Sequence, residues 1–277
     1  MPLVTLNDLL PKARKGKYAI PAFNVVSLEM IMAAVNAAEK ENSPIIIEYT
    51  EDDDARIPLE FIGAFASQLA KESEVPICVH LDHGRTLKGI LRAINSGYSS
   101  VMFDGSAQSF SDNIENTQKV VEIANAMGVS VEAELGTIHI GEDNYTNPDL
   151  VEEFTSKTGI SALAVSIGTE HGVYKGKPII DLDRLSKINT STKAPLVMHG
   201  GSGLDLDVYG KVIDNGISKI NYYSAMSNKV LMKMLSDLQE KSQNDSVYLQ
   251  DAIDLELGYF EEEMRIVIRL FSNQKSE

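Results

Sequence analysis

The sequence predicts an α/β protein of the (β/α)8 barrel (TIM barrel) class. Eight short runs rich in apolar and β-branched residues recur along the chain, and helix-length segments with apolar residues three and four positions apart separate them. No Pro/Gly/Ser-rich linker or change of composition interrupts this alternation. An eightfold alternation of strand and helix is typical of this barrel.

The predicted strands follow one another in chain order. They are YAIPAFNV (18–25), PIIIEYT (44–50), PICVHLDH (76–83), SSVMFDG (99–105), VSVEAEL (129–135), ALAVSIG (162–168), PLVMHGG (195–201) and ISKINYY (217–223). We predict a single domain over 1–277, with the helices after residue 225 as C-terminal additions. A doubly wound sheet is the rival fold, but it often carries a G-x-G-x-x-G turn after its first strand, where this chain has AFNVVS.

Charge and composition limit the classes of partner. A formal charge of −15 without a basic patch argues against binding to nucleic acid or to an anionic membrane. The N-terminus lacks a basic stretch that leads into a long apolar region, and no apolar run approaches the roughly 18 residues of a membrane span, so we expect a cytoplasmic protein. The single cysteine, Cys78, lies in an apolar run and is expected to serve packing.

Three of the five histidines follow predicted strands. His83 ends the third, His171 follows the sixth and His199 ends the seventh. Because active sites of β/α barrels form at the C-terminal ends of the strands, we expect these imidazoles to converge. Three protein ligands with one open position are common for a catalytic zinc. The alternative for any one of them is a hydrogen-bonded core or rim histidine.

Carboxylates accompany these histidines. Asp82 precedes His83, and we expect it to act as an acid or base beside the metal. Glu132 and Glu134 share one face of the fifth strand, and two carboxylates inside a barrel repel unless a cation compensates. The alternation of side chains along the strand does not show whether that face points into the barrel or outward, where the two glutamates would form salt bridges with surface helices. The direction of the Asp104 side chain, at the end of the fourth strand, is equally open. His80 is expected to support the site or the core.

Loops after several strands add further candidates. GGSG (200–203), Asn221 and Ser224 follow strands 7 and 8, where β/α barrels commonly bind phosphate, although a short GGSG is also an ordinary turn. The polar segment between residues 136 and 150 suits an active-site lid. Glu142 is the residue of this segment that we expect to take part in catalysis. The alternative interpretation is that it is an exposed charge on a surface loop.

These motifs together resemble the metal-dependent class II ketose-bisphosphate aldolases, which include fructose- and tagatose-bisphosphate aldolases. The resemblance spans nearly the whole chain. It rests on AFNV (22–25), HLDHG (80–84), VEAELG (131–136), YTNP (145–148), IGTEHGVYKGKP (167–178), HGGSG (199–203) and KIN (219–221), in the order and spacing of the family.

The resemblance implies a role for each of these residues. His83, His171 and His199 would bind zinc, with Glu134 as an alternate or buried metal contact, while Asp82 and Glu142 would transfer protons. A second divalent ion and a monovalent cation are also implied, as is a homodimer or homotetramer. Contacts to the substrate, a sugar phosphate that yields dihydroxyacetone phosphate, would come from Asn24, Thr50, Gly172, Lys175, Gly200, Gly201, Ser202, Asn221 and Ser224.

Three departures from the family pattern concern the substrate. Tyr222 and Tyr223 follow KIN and add aromatic bulk, and Thr50 stands where the family has a serine. Ile253, in YLQDAID, replaces the arginine that reaches a distal phosphate in the family. The acidic run EDDD (51–54) would repel a phosphate at the same end. A ketose 1-phosphate is therefore the alternative to a bisphosphate, unless Arg56 or Arg85 supplies a substitute donor.

Other functions remain open at this point. A Schiff-base aldolase would need a desolvated lysine, for which Lys219 and Lys175 are the candidates. A metal-dependent hydrolase of the amidohydrolase type generally has an HxH pair on strand 1, where this chain has AFN. A non-catalytic sugar-phosphate binding protein is a different class of function, and the presence of both Asp82 and Glu142 argues against it.

Overall fold

A closed barrel of eight parallel strands forms the centre of the computed structural model, which describes residues 2–138, 144–174 and 176–272. Each strand pairs with the next, and β1 pairs with β8. This confirms the predicted (β/α)8 barrel. The strands are β1 (Ile20–Asn24), β2 (Ile45–Thr50), β3 (Ile77–Gly84), β4 (Ser100–Phe103), β5 (Ser130–Leu135), β6 (Ala162–Val165), β7 (Leu196–Met198) and β8 (Ile217–Tyr222).

Helices lie between the strands and around them. They are α1 (Leu6–Gly16), α2 (Leu28–Lys40), α3 (Leu59–Glu72), α4 (Leu87–Asn95), α5 (Phe110–Ala126), α6 (Pro148–Thr158), α7 (Leu182–Ser191), α8 (Leu206–Asp214), α9 (Ser224–Ser242) and α10 (Leu249–Phe271). A short 3-10 turn, Glu51–Asp53, follows β2. Among the described residues, no helix combines the length and the apolar character that a membrane span requires.

The barrel interior changes from apolar to polar along its axis. At the N-terminal end, α1 inserts Leu6 and Leu10 among inward-facing residues of the strands, such as Ile46 and Val197. Burial of these side chains closes that end, at roughly 1.5 to 3 kcal/mol for each large apolar residue. The layers toward the C-terminal ends of the strands carry buried polar and charged side chains instead. The chemistry of the protein is therefore concentrated at the C-terminal face.

The last helix, α10, packs back onto the barrel. The backbone N–H of Ala19 donates a 3.0 Å hydrogen bond to the carbonyl of Phe271, which joins the end of α10 to the start of β1. Arg265 and Arg269, also on α10, both donate to the Glu41 carboxylate at the end of α2. These contacts hold α10 against α2.

Candidate active site

The chain geometry after β3 brings two consecutive side chains into the site. Strand alternation points Asp82 inward and would point His83 outward. The pairing of β3 with β4 shifts register between Leu81 and Gly84, and His83 adopts a φ of 47°, which is uncommon for any residue but glycine. This local turn directs the His83 ring toward the rings of His171 and His199, with centroids 5.0 Å and 4.8 Å away.

The three predicted histidines do come together at the C-terminal face. One nitrogen from each lies within 4.8 Å of the nitrogens of the other two, a spacing that can hold one metal ion. His199 is fully buried at the end of β7, His83 is partly buried, and His171 is exposed on the loop after β6. The exposed side of the triad faces the open cavity, where a fourth position would be accessible.

Two of the histidines contact carboxylates on their far sides. His83 Nδ1 lies 3.0 Å from Asp104 Oδ2, and His199 Nε2 lies 2.9 Å from Glu132 Oε1. Their other nitrogens, His83 Nε2 and His199 Nδ1, lie 3.1 Å apart and point at the same place. Carboxylate partners of this kind orient metal-binding imidazoles, so this donor set fits a zinc ion.

Asp82 lies beside the triad and is almost fully buried. Its carboxylate accepts a 2.8 Å hydrogen bond from Asn24 Nδ2 and a longer one, at 3.3 Å, from Asn221 Nδ2. Burial alone would raise the pKa of Asp82, but the charges of His83 and Lys219 and the hydrogen bond from Asn24 favour the ionised form and hold this pKa well below its ordinary range. Asp82 is thus a fixed, ionised carboxylate next to the cavity.

Beneath the triad lies a buried ion network that the sequence did not assign. Lys219 Nζ lies 2.5 Å from Glu48 Oε1 and 2.9 Å from Glu132 Oε2, and it donates to Asn221 Oδ1 at 2.9 Å. Burial favours the neutral amine, yet the charges of Glu132, Glu48 and Asp82 raise the pKa of Lys219 above its ordinary value. A Schiff-base lysine must be neutral to attack, so this environment disfavours that role for Lys219.

A cavity of about 290 Å³ opens above Asp82 and the triad. Most of the residues that the sequence predicted for substrate binding line this cavity. Gly201 is not among the lining residues: a Cβ there would lie 2.4 Å from Ile220 Cγ2, so this glycine serves close packing. The lining consists of Asn24, Val25, Val26, Thr50, Asp52, Asp53, Asp82, His83, His171, Gly172, Gly200, Ser202, Asn221, Tyr223 and Ser224.

One side of the cavity is built from the loops after β7 and β8. Gly200 has a φ of 62°, and a Cβ there would lie 2.3 Å from the Glu170 carbonyl, so the tight turn requires glycine. Ser202 accepts a 2.6 Å hydrogen bond at Oγ from the backbone N–H of Ala225, in the first turn of α9. A helix N-terminus next to glycine and serine is a favourable place for a phosphate.

Another part of the cavity lining is acidic. Asp52 and Asp53 line it directly. Their nearest arginines are exposed and already paired, Arg85 with Asp52 at 3.2 Å and Arg56 with Asp53 at 3.5 Å. No lysine or arginine occurs among the described residues of the lining. Ile253, partly exposed on α10, is not part of the lining either.

The remaining candidates have different outcomes. Glu134 is buried, forms a second possible metal-binding group with His83 and Asp104, and lines an adjoining cavity of about 320 Å³. Its burial, with the neighbouring Asp104 charge, raises the pKa of Glu134 to about 8. Glu142 and Lys175 lie outside the described residues.

The two tyrosines that follow KIN, Tyr222 and Tyr223, point to different parts of the structure. Tyr223 lines the cavity, as its position in the sequence suggested. Tyr222 turns away and packs near Tyr209 and Phe271, with ring centroids 6.5 Å and 6.0 Å away. Of the two, Tyr223 brings aromatic bulk to the substrate side.

Comparison with known proteins agrees with this geometry. The family model of class II fructose-bisphosphate aldolase matches residues 4–272. The chain is 39% identical to a probable fructose-bisphosphate aldolase of Bacillus subtilis (strain 168) over 231 residues, which are 80% of this chain and 81% of the relative. It is 38% identical to the fructose-bisphosphate aldolase of Geobacillus stearothermophilus over 236 residues, which are 80% of each chain.

Solved structures give the same result. The crystal structure of the YdjI aldolase from Escherichia coli K12 superposes with a TM-score of 0.88 at 30% identity, and the match covers 99% of this chain and 100% of that one. The putative fructose-1,6-bisphosphate aldolase of Coccidioides immitis follows with a TM-score of 0.86 at 29% identity over 96% of each chain. The resemblance found in the sequence is thereby confirmed, and the protein is an aldehyde-lyase that belongs to the class II fructose-bisphosphate aldolase family.

Proposed function

We propose that this aldolase is metal-dependent and that His83, His171 and His199 hold its catalytic zinc. The observation that supports this most directly is the convergence of three imidazole nitrogens within 4.8 Å. A bound divalent cation would supply Lewis-acid stabilisation of the negative charge that develops on the ketone oxygen of the substrate. The group formed by His83, Asp104 and Glu134 supports a further proposal, an alternate position for the same divalent ion.

Asp82 is the proposed acid and base at the bond that breaks. In the cleavage direction its ionised carboxylate accepts the proton of the hydroxyl group on the carbon that becomes the aldehyde. In the reverse direction it returns that proton to the new alkoxide. Asn24 and Asn221 fix both oxygens of Asp82 for this transfer. Glu142 remains the candidate for the proton of the ketone fragment.

The donor half of the substrate is proposed to be dihydroxyacetone phosphate. Its phosphate would lie against the loops after β6, β7 and β8, at Gly172, Gly200, Ser202 and Ser224. The start of α9 offers partial positive charge in the same corner. Local donors of this kind can bind phosphate despite the net charge of −15, because exposed charges are screened beyond about 8 Å at physiological salt.

We further propose that the aldehyde half carries no phosphate, so that the substrate is a ketose 1-phosphate. Asp52 and Asp53 line this end of the cavity and would repel a second phosphate. Arg85 and Arg56 are each ion-paired with one of these aspartates, so a second phosphate would have to compete with that carboxylate for either arginine. Ile253 cannot replace the bidentate hydrogen bonds of an arginine.

The test compares kcat/KM for fructose 1-phosphate and tagatose 1-phosphate with kcat/KM for the matching 1,6-bisphosphates. We expect the 1-phosphates to be preferred. Asp52→Asn with Asp53→Asn should shift the ratio toward the bisphosphates, whereas Asp207→Asn, an exposed carboxylate paired with Lys211, should leave it unchanged. A preference of about 100-fold for either bisphosphate would contradict the proposal, because it corresponds to about 2.7 kcal/mol of distal-phosphate recognition.

A further inference from the structure

We propose that Lys219 and Glu132 act together as positioning residues that fix the tautomer of His199. This inference rests on the proposed metal site, because the tautomer decides which nitrogen of His199 is free to bind the metal. Neither Lys219 nor Glu132 is placed to contact the ion itself, so both would act through His199. Both are fully buried.

Glu132 connects the lysine to the histidine through its two oxygens. Oε1 lies 2.9 Å from His199 Nε2, and Oε2 lies 2.9 Å from Lys219 Nζ. All three side chains are inaccessible to solvent. Oε1 of Glu132 is therefore hydrogen-bonded to His199, and Oε2 is ion-paired with Lys219.

The donor and acceptor roles in this chain follow from its members. An ammonium only donates and a carboxylate only accepts, so the proton of His199 belongs on Nε2. A neutral imidazole carries a single N–H, so a proton on Nε2 leaves Nδ1 without one. Nδ1 is then left with a free lone pair, and it faces His83 Nε2 at 3.1 Å. That is the arrangement a metal ligand needs.

Glu132→Gln separates this role from simple packing. An amide has one oxygen, and the Lys219 ammonium will take it, which turns the NH2 group toward His199 Nε2. His199 can accept there only if its proton moves to Nδ1, the atom that should bind the metal. We expect zinc affinity to fall by about 10-fold to 100-fold, the usual effect of a lost partner behind a metal ligand.

Removal of the lysine should reverse the defect. In the double variant Lys219→Met with Glu132→Gln, no ammonium claims the amide oxygen, so the amide can rotate and accept from His199 Nε2. Lys219→Met alone keeps the carboxylate and should keep the tautomer. Glu48 tolerates the loss of the ammonium because burial raises its pKa to about 8, which lets it take up a proton at neutral pH.

The experiment measures zinc affinity by competition with a chromophoric chelator and reads the His199 tautomer from 15N NMR of histidine-labelled protein. We expect Nε2–H and tight binding in wild type, in Lys219→Met and in the double variant, and weak binding with Nδ1–H in Glu132→Gln alone. Glu153→Gln, a surface glutamate paired with Lys157 at 2.7 Å, is the matched control and should behave as wild type.

The outcomes separate this inference from the proposed function. If Glu132→Gln binds zinc as wild type does with Nε2–H retained, the inference is overturned while the metal site stands. If the double variant binds as weakly as Glu132→Gln, Glu132 acts only through packing or charge, and the inference is equally overturned. If wild-type protein itself binds no zinc, the proposed function fails, and the inference fails with it.

Discussion

Replacing His171 or His199 with alanine is expected to remove the bound metal and nearly all turnover. Each imidazole supplies one of three protein ligands in the proposed site, and the Lewis acid it helps to hold contributes several kcal/mol of transition-state stabilisation. We therefore expect turnover to fall by about 10³-fold or more. Metal analysis and a coupled assay for triose product on the same sample measure both quantities.

His171→Ala is the cleaner of these two variants. His171 is exposed on its loop, whereas His199 is fully buried, so the His199 change also leaves a cavity in the core. Circular dichroism and thermal unfolding of the zinc-free proteins should show that His171→Ala is folded like wild type. Full metal content with full turnover in either variant would exclude the ligand assignment.

Asp82→Asn is expected to keep the metal and to lose turnover by about 10²-fold to 10⁴-fold, the usual range for a positioned acid or base. The change preserves the volume of the side chain and removes the carboxylate that accepts the proton, together with one of the two hydrogen bonds from Asn24 and Asn221. Because the pKa of Asp82 lies well below its ordinary range, the wild-type carboxylate stays ionised through mildly acidic pH. Steady-state kinetics with metal analysis at neutral pH tests this expectation.

The matched control for Asp82 is Asp207→Asn, the same substitution at an exposed carboxylate on α8. It should leave both metal content and turnover unchanged. An Asp82→Asn enzyme with full turnover would remove Asp82 from the mechanism. One that lost its metal would show instead that Asp82 acts mainly by holding the site together.

The barrel and the histidine triad were predictable because their signals are periodic or rare. Strand-length runs alternate with amphipathic helices throughout the chain, and few histidines occur. The rule that active sites form at the C-terminal ends of the strands then selects His83, His171 and His199. The inward turn of His83 was not predictable, because it depends on a register shift and a positive φ rather than on strand parity.

The ion network beneath the triad illustrates what a single sequence does not supply. Parity placed Glu132 and Glu134 on one face, but it could not show that Glu132 reaches Lys219 and His199 while Glu134 faces an adjoining cavity. Glu48 carried one signal, a lone carboxylate within the apolar run IIIEYT. Its partner lies on β8, far away in the chain, so only the closed barrel reveals the pair.

At the end of the cavity proposed for the aldehyde half of the substrate, the sequence supplied the residues but not their contacts. The acidic run after β2 was evident in the sequence, and so were Arg56 and Arg85 as possible phosphate donors. Whether those arginines are available depends on their side-chain contacts. In the structure each is paired with an aspartate of the cavity wall, which favours the hypothesis of an unphosphorylated aldehyde end.

Zinc reconstitution tests the metal dependence of this aldolase. Wild-type protein is stripped with a chelator, dialysed, and assayed for release of dihydroxyacetone phosphate from a ketose phosphate while zinc is added back in known ratio to the chain. We expect no measurable cleavage without metal and a return of activity that saturates near one zinc for each chain. Full turnover by protein shown to be free of metal would contradict this expectation.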